Sequence, residues 1–372
     1  MGDLFLFGTL LDDALRHIVA GCDLSGVAAV LPGHGVWRAA GGDYPLLGAG
    51  QGATGLLLRN VPGAALARLH FYEAGFDYRT GLVEVATGGA MHAATVYLPA
   101  TPALPGGAPW ALEDWQAGWG AMTRAAAEEA MSFFGVIDGA ALRARMPTIR
   151  MRAAARLRAA AEKPATPWHL GGLDRGAVQV IAARHPYTSY FSVDEIDLTH
   201  RRFDGTRSGR MTREGFLMGD AVTVLPYDAV RDRVLLVEQF RFGMYLRGDP
   251  APWSLEPVAG RIDPGETPEQ AARREAQEEA GLTLDRLLPL GGHYPSPAAV
   301  SEYLFSFVAL CDLPDLATGS GGLASEHEDI RTHVLPFAQV LDWADQGALE
   351  NTPLLFTLNW LARQRARPGA FA

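Results

Sequence analysis

The sequence predicts a two-domain α+β protein, and three observations support this. The chain has 372 residues, which is too long for one ordinary hydrophobic core. Strand-like runs occur in both halves and are separated by helical stretches. An Ala/Arg-rich stretch between the halves is ended by Pro164 and Pro167, and we place the domain boundary there. We therefore expect a domain at 1–137, a helical linker at 138–167 and a second domain at 168–372.

Composition restricts the class of protein. Hydrophobic residues make up 48% and charged residues 20% of the chain, as in ordinary globular proteins. The net charge of -10 argues against nucleic acid or anionic membrane as a partner. The two cysteines, Cys22 and Cys311, form no CxxC pair, which suits a reducing compartment. No apolar run is long enough to span a bilayer, and the N-terminus lacks the features of a secretory signal. We expect a cytoplasmic protein.

The first domain should contain several short strands and one helix. The helix is predicted at 110–134, where Trp115, Trp119 and Met122 recur at near-helical spacing. The predicted strands are 4–7 (continued through 9–10 after Gly8), 53–58, 82–85 and 94–98.

The Ala/Arg-rich linker reads as mainly helical from 139 to 163, with an interruption at Pro147. Its six arginines between 143 and 158 could grip an anion. A solvated connector is the interpretation that we favour.

In the second domain, strands alternate with short helices, which indicates an α+β or α/β sandwich. A C-terminal helix is predicted at 354–365. The predicted strands are 179–182, 191–198, 221–225, 234–239 and 304–310.

One helix of the second domain has clear ends. Thr267 and Gln270 form a capping box, with Pro268 at the first helical position. Gly281 is a good helix terminator. We expect a helix between these residues.

This helix carries acidic residues where a helix does not favour them. Glu275 and Glu279 are four residues apart on one stripe near the C-terminal end, where the helix dipole is unfavourable to anions. Like charges at this spacing cost roughly 0.2–0.5 kcal/mol. A solvated acidic face is the alternative, but a divalent cation explains the placement better, because carboxylate oxygens select hard cations such as Mg2+.

The segment 260–282, GRIDPGETPEQAARREAQEEAGL, resembles the signature of the Nudix hydrolases, which implies an α/β/α sandwich and metal-dependent cleavage of a diphosphate. Ala276 and Leu282 occupy the two apolar positions of that signature. Its fixed positions are occupied by Gly260, Glu266, Arg274, Glu275, Glu278, Glu279 and Gly281.

The flanking segments resemble the ADP-ribose pyrophosphatase subfamily. They are VEQFR at 237–241, WSLEPVAG at 253–260, the proline at 297 and SEHEDI at 325–330. The resemblance implies an enzyme that hydrolyses the diphosphate of ADP-ribose to AMP and ribose 5-phosphate with Mg2+, for which Mn2+ is a possible substitute. It also implies a homodimer. A diphosphatase for other nucleoside diphosphate sugars, and a ligand sensor without hydrolysis, are the alternatives.

The positions of this chain that match the subfamily's functional residues can be identified one by one. The resemblance implies that Glu326 is the catalytic base and that the metal is held by the Ala259 carbonyl with Glu275, Glu279 and Glu328. Within the subunit, substrate would contact Arg241, Arg261 and Glu302. The residues implied to reach a partner's site are Tyr190, Phe191, Arg213, Glu214, Ser296, Pro297 and Ala298.

The first domain resembles the gamma-glutamylcyclotransferase-like (AIG2-like) family, which implies a β-barrel with helices. The likeness rests on FLFGTL at 5–10, YPLL at 44–47, FYEAG at 71–75 and YR at 78–79. It implies that Glu73 shuttles a proton and that the loop Gly8-Thr9-Leu10 offers backbone N–H groups to a carboxylate. A non-catalytic or regulatory domain is the alternative.

Overall fold

The structure is a computed structural model that describes residues 2–40, 42, 44–101, 105–161, 170–313, 319–322, 328–367 and 371. The chain forms two compact units. The first comprises Met1–Val178 with His185–Ser192 and His200–Arg207, and the second comprises Gln179–Arg184, Val193–Thr199 and Ser208–Ala372. The predicted boundary near Pro164 lies outside the described residues. Across the described helices, none is long and apolar enough to cross a membrane.

The sheet of the first unit closes into a five-stranded barrel, which confirms the predicted barrel. The strand order is β3-β1-β5-β4-β2-β6, and a further pairing of β3 with β2 closes the ring of five and leaves β6 outside it. The six strands are β1 (Gly2–Leu6), β2 (Val27–Ala39), β3 (Pro45–Val61), β4 (Tyr78–Thr87), β5 (Ala90–Pro99) and β6 (Pro105–Pro109).

Helices of the first unit pack on one another beside the barrel and build a core with Leu69, Trp115 and Ala127. A π-helical turn, Gln116–Gly120, joins the third helix to the fourth, so the predicted helix at 110–134 is present in two parts. The helices are α1 (Asp13–Ala20), α2 (Gly63–Ala74), α3 (Leu112–Trp115), α4 (Ala121–Ser132) and α5 (Gly139–Ala161).

The prediction that the Ala/Arg-rich stretch is a solvated connector is wrong, because helix α5 is packed into the core of the first unit. It runs through Pro147 without a break, and a stripe at helical spacing packs into the core of the first unit, comprising Leu142, Met146, Ile149 and Ala153. Arg152 of the same helix is also buried and donates to Glu129 over 2.5 and 2.9 Å. The helix is part of the first unit.

The predicted continuation of the first strand through Thr9 and Leu10 is wrong. These residues belong to a short 3-10 helix, Thr9–Leu11, in which the Leu11 amide donates to the Gly8 carbonyl. A Cβ at Gly8 would lie 2.6 Å from Pro45 Cγ, so the chain turns away from the barrel at the residue that has no side chain.

The second part of the chain contains a separate three-stranded sheet of order β7-β8-β9 and a larger eight-stranded sheet. In the larger sheet the main order is β14-β15-β10-β11-β17-β16, with β12 on β11 and β13 on β10. The strands are β7 (Val178–Thr188), β8 (Ser192–His200), β9 (Met211–Leu217), β10 (Ala221–Asp228), β11 (Arg233–Phe240), β12 (Trp253–Glu256), β13 (Val258–Arg261), β14 (Arg286–His293), β15 (Leu304–Leu310), β16 (Ser320–Gly321) and β17 (Ile330–Pro336).

Helices cover both faces of the larger sheet, which confirms the predicted α/β/α sandwich. They are α7 (Pro268–Ala280) on one face and α8 (Phe337–Asp345) and α9 (Thr352–Arg365) on the other. A further short helix, α6 (Phe242–Arg247), has no buried residue. Side chains of β10 alternate between the faces: Val222 and Val224 pack with Ala272 of α7, whereas Leu225 and Tyr227 pack with helices α8 and α9.

Candidate active site

Helix α7 begins and ends as the sequence predicts. The Gln270 amide donates to Thr267 Oγ1 over 3.2 Å, and the Thr267 amide donates to Gln270 Oε1 over 2.8 Å. Gly281 ends the helix in the left-handed conformation at φ 62°. These caps fix the register of the helix, and its apolar side packs on the sheet through Ala271, Ala272 and Ala276.

The carboxylates of α7 lie against the backbone of strand β13. The Ala259 amide donates to Glu279 Oε2 over 3.2 Å. A Cβ at Gly260 would lie 1.9 Å from the Glu275 carboxyl carbon. Only glycine therefore lets the Glu275 carboxylate approach this strand, which gives the first signature glycine a physical reason.

Arg274 supports the acidic stripe. It donates to Glu266 over 2.9 and 3.0 Å, to Glu275 over 2.7 Å and to Glu278 over 2.9 Å, and it also donates to the Arg261 carbonyl. The Arg274 guanidinium lowers the pKa of the Glu266 carboxyl. Glu266 and Glu278 are thus partners of one arginine. The pair of Arg274 with Glu278 follows from their four-residue spacing on the helix, whereas Glu266 lies before the helix begins.

Glu275 and Glu279 are held in an environment that disfavours negative charge. The pKa of Glu279 is raised to about 8, chiefly by burial, with the carboxylates of Glu275 and Glu328 acting in the same direction against the Ala259 amide and Arg241. Burial also raises the pKa of Glu275 to about 7, with Glu278 and Glu328 acting in the same direction against Arg274. Buried carboxylates that repel one another are stabilised by a cation placed between them.

A glycine segment, 319–322, packs against the end of α7. The Gly322 amide donates to the Glu278 carbonyl over 3.2 Å, and a Cβ at Gly321 would lie 1.7 Å from the Glu279 carbonyl oxygen. This close contact explains the glycine at position 321. The segment pairs with strand β17 and is anchored to it, and Glu328 follows on the far side of 323–327.

The donor set suits a hard divalent ion, because the Ala259 carbonyl, Glu275, Glu279 and Glu328 offer only oxygen. Within the described ranges, however, no three His, Cys, Asp or Glu side chains are already gathered closely enough to hold a metal ion. Arg274 holds the Glu275 carboxylate in a hydrogen bond.

Two of the predicted substrate arginines have carboxylate partners. Arg241 donates twice to the buried Glu256, over 2.9 and 2.5 Å, and its charge also acts on Glu279. Arg261 donates to Glu302 over 2.5 Å. The sequence did not predict Glu256 as the partner of Arg241, although Glu256 lies in the WSLEP segment and ends strand β12.

The residues predicted to reach a partner subunit lie on exposed turns and strands. The side chain of Tyr190 is 62% exposed, its carbonyl accepts from Arg152, and the neighbouring Phe191 packs on Tyr187. Arg213 and Glu214 are exposed on β9, and Ser296, Pro297 and Ala298 form an exposed turn. The predicted base, Glu326, lies outside the described residues.

The first unit contains a cavity of about 470 Å3 that brings the predicted residues of this unit together. Gly8, Thr9 and Leu10 lie at its wall with Glu73, and aromatic side chains such as Tyr78 and Trp115 form much of the lining. Burial raises the pKa of Glu73 to about 8. A carboxyl that is neutral at pH 7 in a cavity of this kind can both donate and accept a proton.

This raised pKa predicts how stability depends on pH. Because the pKa of Glu73 is higher in the folded state than in the unfolded chain, the folded protein binds this proton more tightly. The resulting stabilisation of the folded state is complete below the ordinary carboxyl pKa of about 4.5 and is lost as the pH rises from there to about 8. Thermal melting at pH 5 and pH 9 should show that Glu73→Gln removes part of the alkaline loss, by on the order of 1 kcal/mol or more. The exposed Glu84 provides the control, and an equal effect of Glu84→Gln would contradict the assignment.

Comparison with known proteins defines the class. Residues 218–355 match the model of the NUDIX domain, and residues 4–117 match that of the gamma-glutamyl cyclotransferase, AIG2-like, family. The chain belongs to the Nudix family and is a hydrolase, with an AIG2-like domain in its N-terminal part. Both resemblances noted in the sequence are confirmed.

Particular relatives are similar to the C-terminal half. An ADP-ribose pyrophosphatase of Escherichia coli is 42% identical over 184 residues, which cover 50% of this chain and 87% of that protein. An ADP-ribose pyrophosphatase of Haemophilus influenzae is 35% identical, with 50% and 85% covered. A GDP-mannose pyrophosphatase of Escherichia coli is 33% identical, with 46% and 88% covered.

Proposed function

We propose that the C-terminal unit hydrolyses the diphosphate of ADP-ribose to AMP and ribose 5-phosphate with Mg2+, for which Mn2+ could substitute. The observation that carries the proposal is the carboxylate pair Glu275 and Glu279, packed against the backbone of Ala259 and Gly260. Burial and mutual repulsion make this pair costly without a cation. A diphosphate brings phosphate oxygens that share such a cation.

The metal would be held by the Ala259 carbonyl, Glu275, Glu279 and Glu328. When bound, it supplies charge neutralisation for the diphosphate and a lowered pKa for the attacking water. Arg274 keeps Glu278 and Glu266 in place through hydrogen bonds, so neither carboxylate is available as a base.

The proton of the attacking water requires a separate acceptor, and we assign it to Glu326. This residue precedes Glu328 by two positions, and the charge of Glu328 acts on both Glu275 and Glu279. Addition of water across the phosphorus–oxygen–phosphorus bridge breaks one bond of that bridge and leaves a phosphate on each product.

Arg241 and Arg261 would contact substrate within the subunit. Their carboxylate partners, Glu256 and Glu302, limit the rotamers of both arginines before substrate arrives, which reduces the entropy lost on binding. Glu302 would also contact substrate.

ADP-ribose is the preferred candidate because the relatives at 42% and 35% identity carry the name ADP-ribose pyrophosphatase. Hydrolysis of another nucleoside diphosphate sugar is the second candidate, favoured by the relative named GDP-mannose pyrophosphatase. The carboxylate cluster itself is suited to a diphosphate and does not select the sugar.

The proposal includes a homodimer. The exposure of Tyr190, of Arg213 and Glu214 and of the 296–298 turn leaves these residues accessible to the active site of a second subunit. An exposed tyrosine ring offers a stacking surface for adenine.

Turnover of a substrate panel tests the proposed function. The full-length protein should release AMP and ribose 5-phosphate from ADP-ribose in Mg2+, with kcat/KM at least about tenfold above that for GDP-mannose, a margin of about 1.4 kcal/mol. Chelation of the metal should abolish turnover. Preference for GDP-mannose would support the second candidate, whereas tight binding of ADP-ribose without turnover of any compound would indicate a sensor.

A further inference from the structure

The Tyr190 turn, residues 188–191, joins strand β7 to strand β8. It lies in the segment His185–Ser192, which belongs to the first unit together with helix α5. Within the turn, the Ser189 amide donates to the Phe191 carbonyl over 2.9 Å. The contacts of this turn with α5 are therefore contacts inside one compact unit.

Helix α5 presents three hydrogen-bond donors to the Tyr190 turn at positions i, i+3 and i+7, a spacing that places side chains on one face of a helix. They bind the carbonyls of three successive residues. The contacts are Arg145 Nε to the Thr188 carbonyl over 2.9 Å, Thr148 Oγ1 to the Ser189 carbonyl over 3.1 Å and Arg152 Nη1 to the Tyr190 carbonyl over 3.3 Å. Thr148 shares its proton with the Arg145 carbonyl at 2.9 Å, so the two arginines are the main donors.

The helix that makes these bonds is itself firmly held. Arg152 also donates to the buried Glu129 of α4 over 2.5 and 2.9 Å. Ile149 and Ala153 of α5 pack in the core of the first unit. A turn bonded to a packed helix keeps its conformation before a ligand arrives, which reduces the entropy lost on binding.

The bonds from α5 reach the backbone of the turn, whereas the Tyr190 side chain is largely exposed. Thr188, in the same turn, is buried. A ring that is exposed on a fixed backbone offers a flat surface in a set orientation, which suits stacking on a base. The turn thus combines a rigid support with an accessible aromatic surface.

We infer that helix α5 positions Tyr190 for stacking on the adenine of the substrate, with Arg145, Thr148 and Arg152 as the positioning residues. The inference rests on the proposed function, in which Tyr190 reaches the active site of a second subunit. The AIG2-like match ends at residue 117, so this task falls to a helix beyond it. It requires no ligand in the cavity of the first unit.

Hydrogen exchange of the full-length protein tests the support of the turn. Arg145→Met removes the bond to the Thr188 carbonyl and keeps most of the side-chain volume. The amides of 188–192 should then exchange at least about threefold faster, because local opening costs less free energy. Arg143→Met is the matched control, since Arg143 lies on the same helix and pairs with Asp77. Unchanged exchange in Arg145→Met, or equal acceleration in Arg143→Met, would overturn the inference.

A double-mutant cycle with Tyr190→Ala connects the support to substrate binding. Tyr190→Ala should raise KM for ADP-ribose roughly tenfold with little change in kcat, as expected when a stacking partner for the base is lost. Arg145→Met should raise KM by at least about threefold in the parent, but by less than about twofold in Tyr190→Ala, because it acts through that ring. Arg143→Met should leave KM unchanged in both backgrounds.

The outcomes separate this inference from the proposed function. A rise in KM of equal size in both backgrounds would indicate a general structural effect and would overturn the inference alone. A parent that does not hydrolyse ADP-ribose, or an unchanged KM in Tyr190→Ala, would overturn the proposed shared site and the inference with it. Circular dichroism confirms folding, and Thr148→Val replaces Arg145→Met in both experiments if that variant does not fold.

Discussion

The Glu279→Gln variant should lose roughly 10²–10⁴-fold in diphosphate hydrolysis, because a lost metal-ligand charge removes several kcal/mol of transition-state stabilisation. The fold should persist, since the glutamine oxygen can still accept the hydrogen bond from the Ala259 amide. Without metal, the variant should be at least as stable as the parent at pH 8. Burial and the neighbouring carboxylates no longer act against a charge at this position.

Steady-state kinetics in a Mg2+ series and thermal melting in chelator measure the two effects. Glu269→Gln is the matched control, because Glu269 is exposed in the first turn of the same helix. Unchanged Mg2+-dependent turnover in Glu279→Gln would remove the assignment of Glu279 as a ligand. A large loss of stability in chelator would show that the carboxylate has a structural partner instead.

Glu326→Gln should lower kcat by roughly 10²–10⁴-fold with little change in substrate affinity, the effect expected when a general base is lost. Glu326 is assigned as the base because the three glutamates near the end of helix α7 already have other partners. Glu278 is hydrogen-bonded to Arg274, and Glu275 and Glu279 are assigned to the metal. Glu328→Gln should instead raise the Mg2+ requirement, because a ligand is lost.

His327 is the rival base, since an ordinary histidine titrates near neutrality. A pH–rate profile of the three variants Glu326→Gln, Glu328→Gln and His327→Ala separates the roles. If His327→Ala loses most of its turnover and Glu326→Gln retains near-normal turnover, the general base is His327 and not Glu326.

The acid-bearing helix α7 was predictable because its determinants are local. Thr267, Pro268, Gln270 and Gly281 each act within a few residues of their own position, and no long-range contact is needed to infer the ends. The pairing of Glu278 with Arg274 also follows from helical spacing.

Other features depend on residues that are distant in sequence. Strand β2 was missed because Pro32 and Gly33 interrupt its pattern; in the structure they accompany a register shift, with Gly33 at φ 71°, as at a β-bulge. The pairing of Arg241 with Glu256 depends on the register between β11 and β12. Likewise, the bonds from helix α5 to the Tyr190 turn depend on tertiary packing of that helix.

The two-sided burial of strand β10 has a consequence for how the sandwich unfolds. All eight of its residues are buried, with Val222 and Val224 in the core beneath α7 and Leu225 and Tyr227 in the core beneath α8 and α9. If either layer of helices detaches, one face of β10 becomes exposed to water, and the other layer packs on the opposite face of the same strand. We therefore expect the two layers to unfold together as one cooperative unit. Helix α9 then contributes to the stability of the acid-bearing helix α7, although the two pack on opposite faces of the sheet.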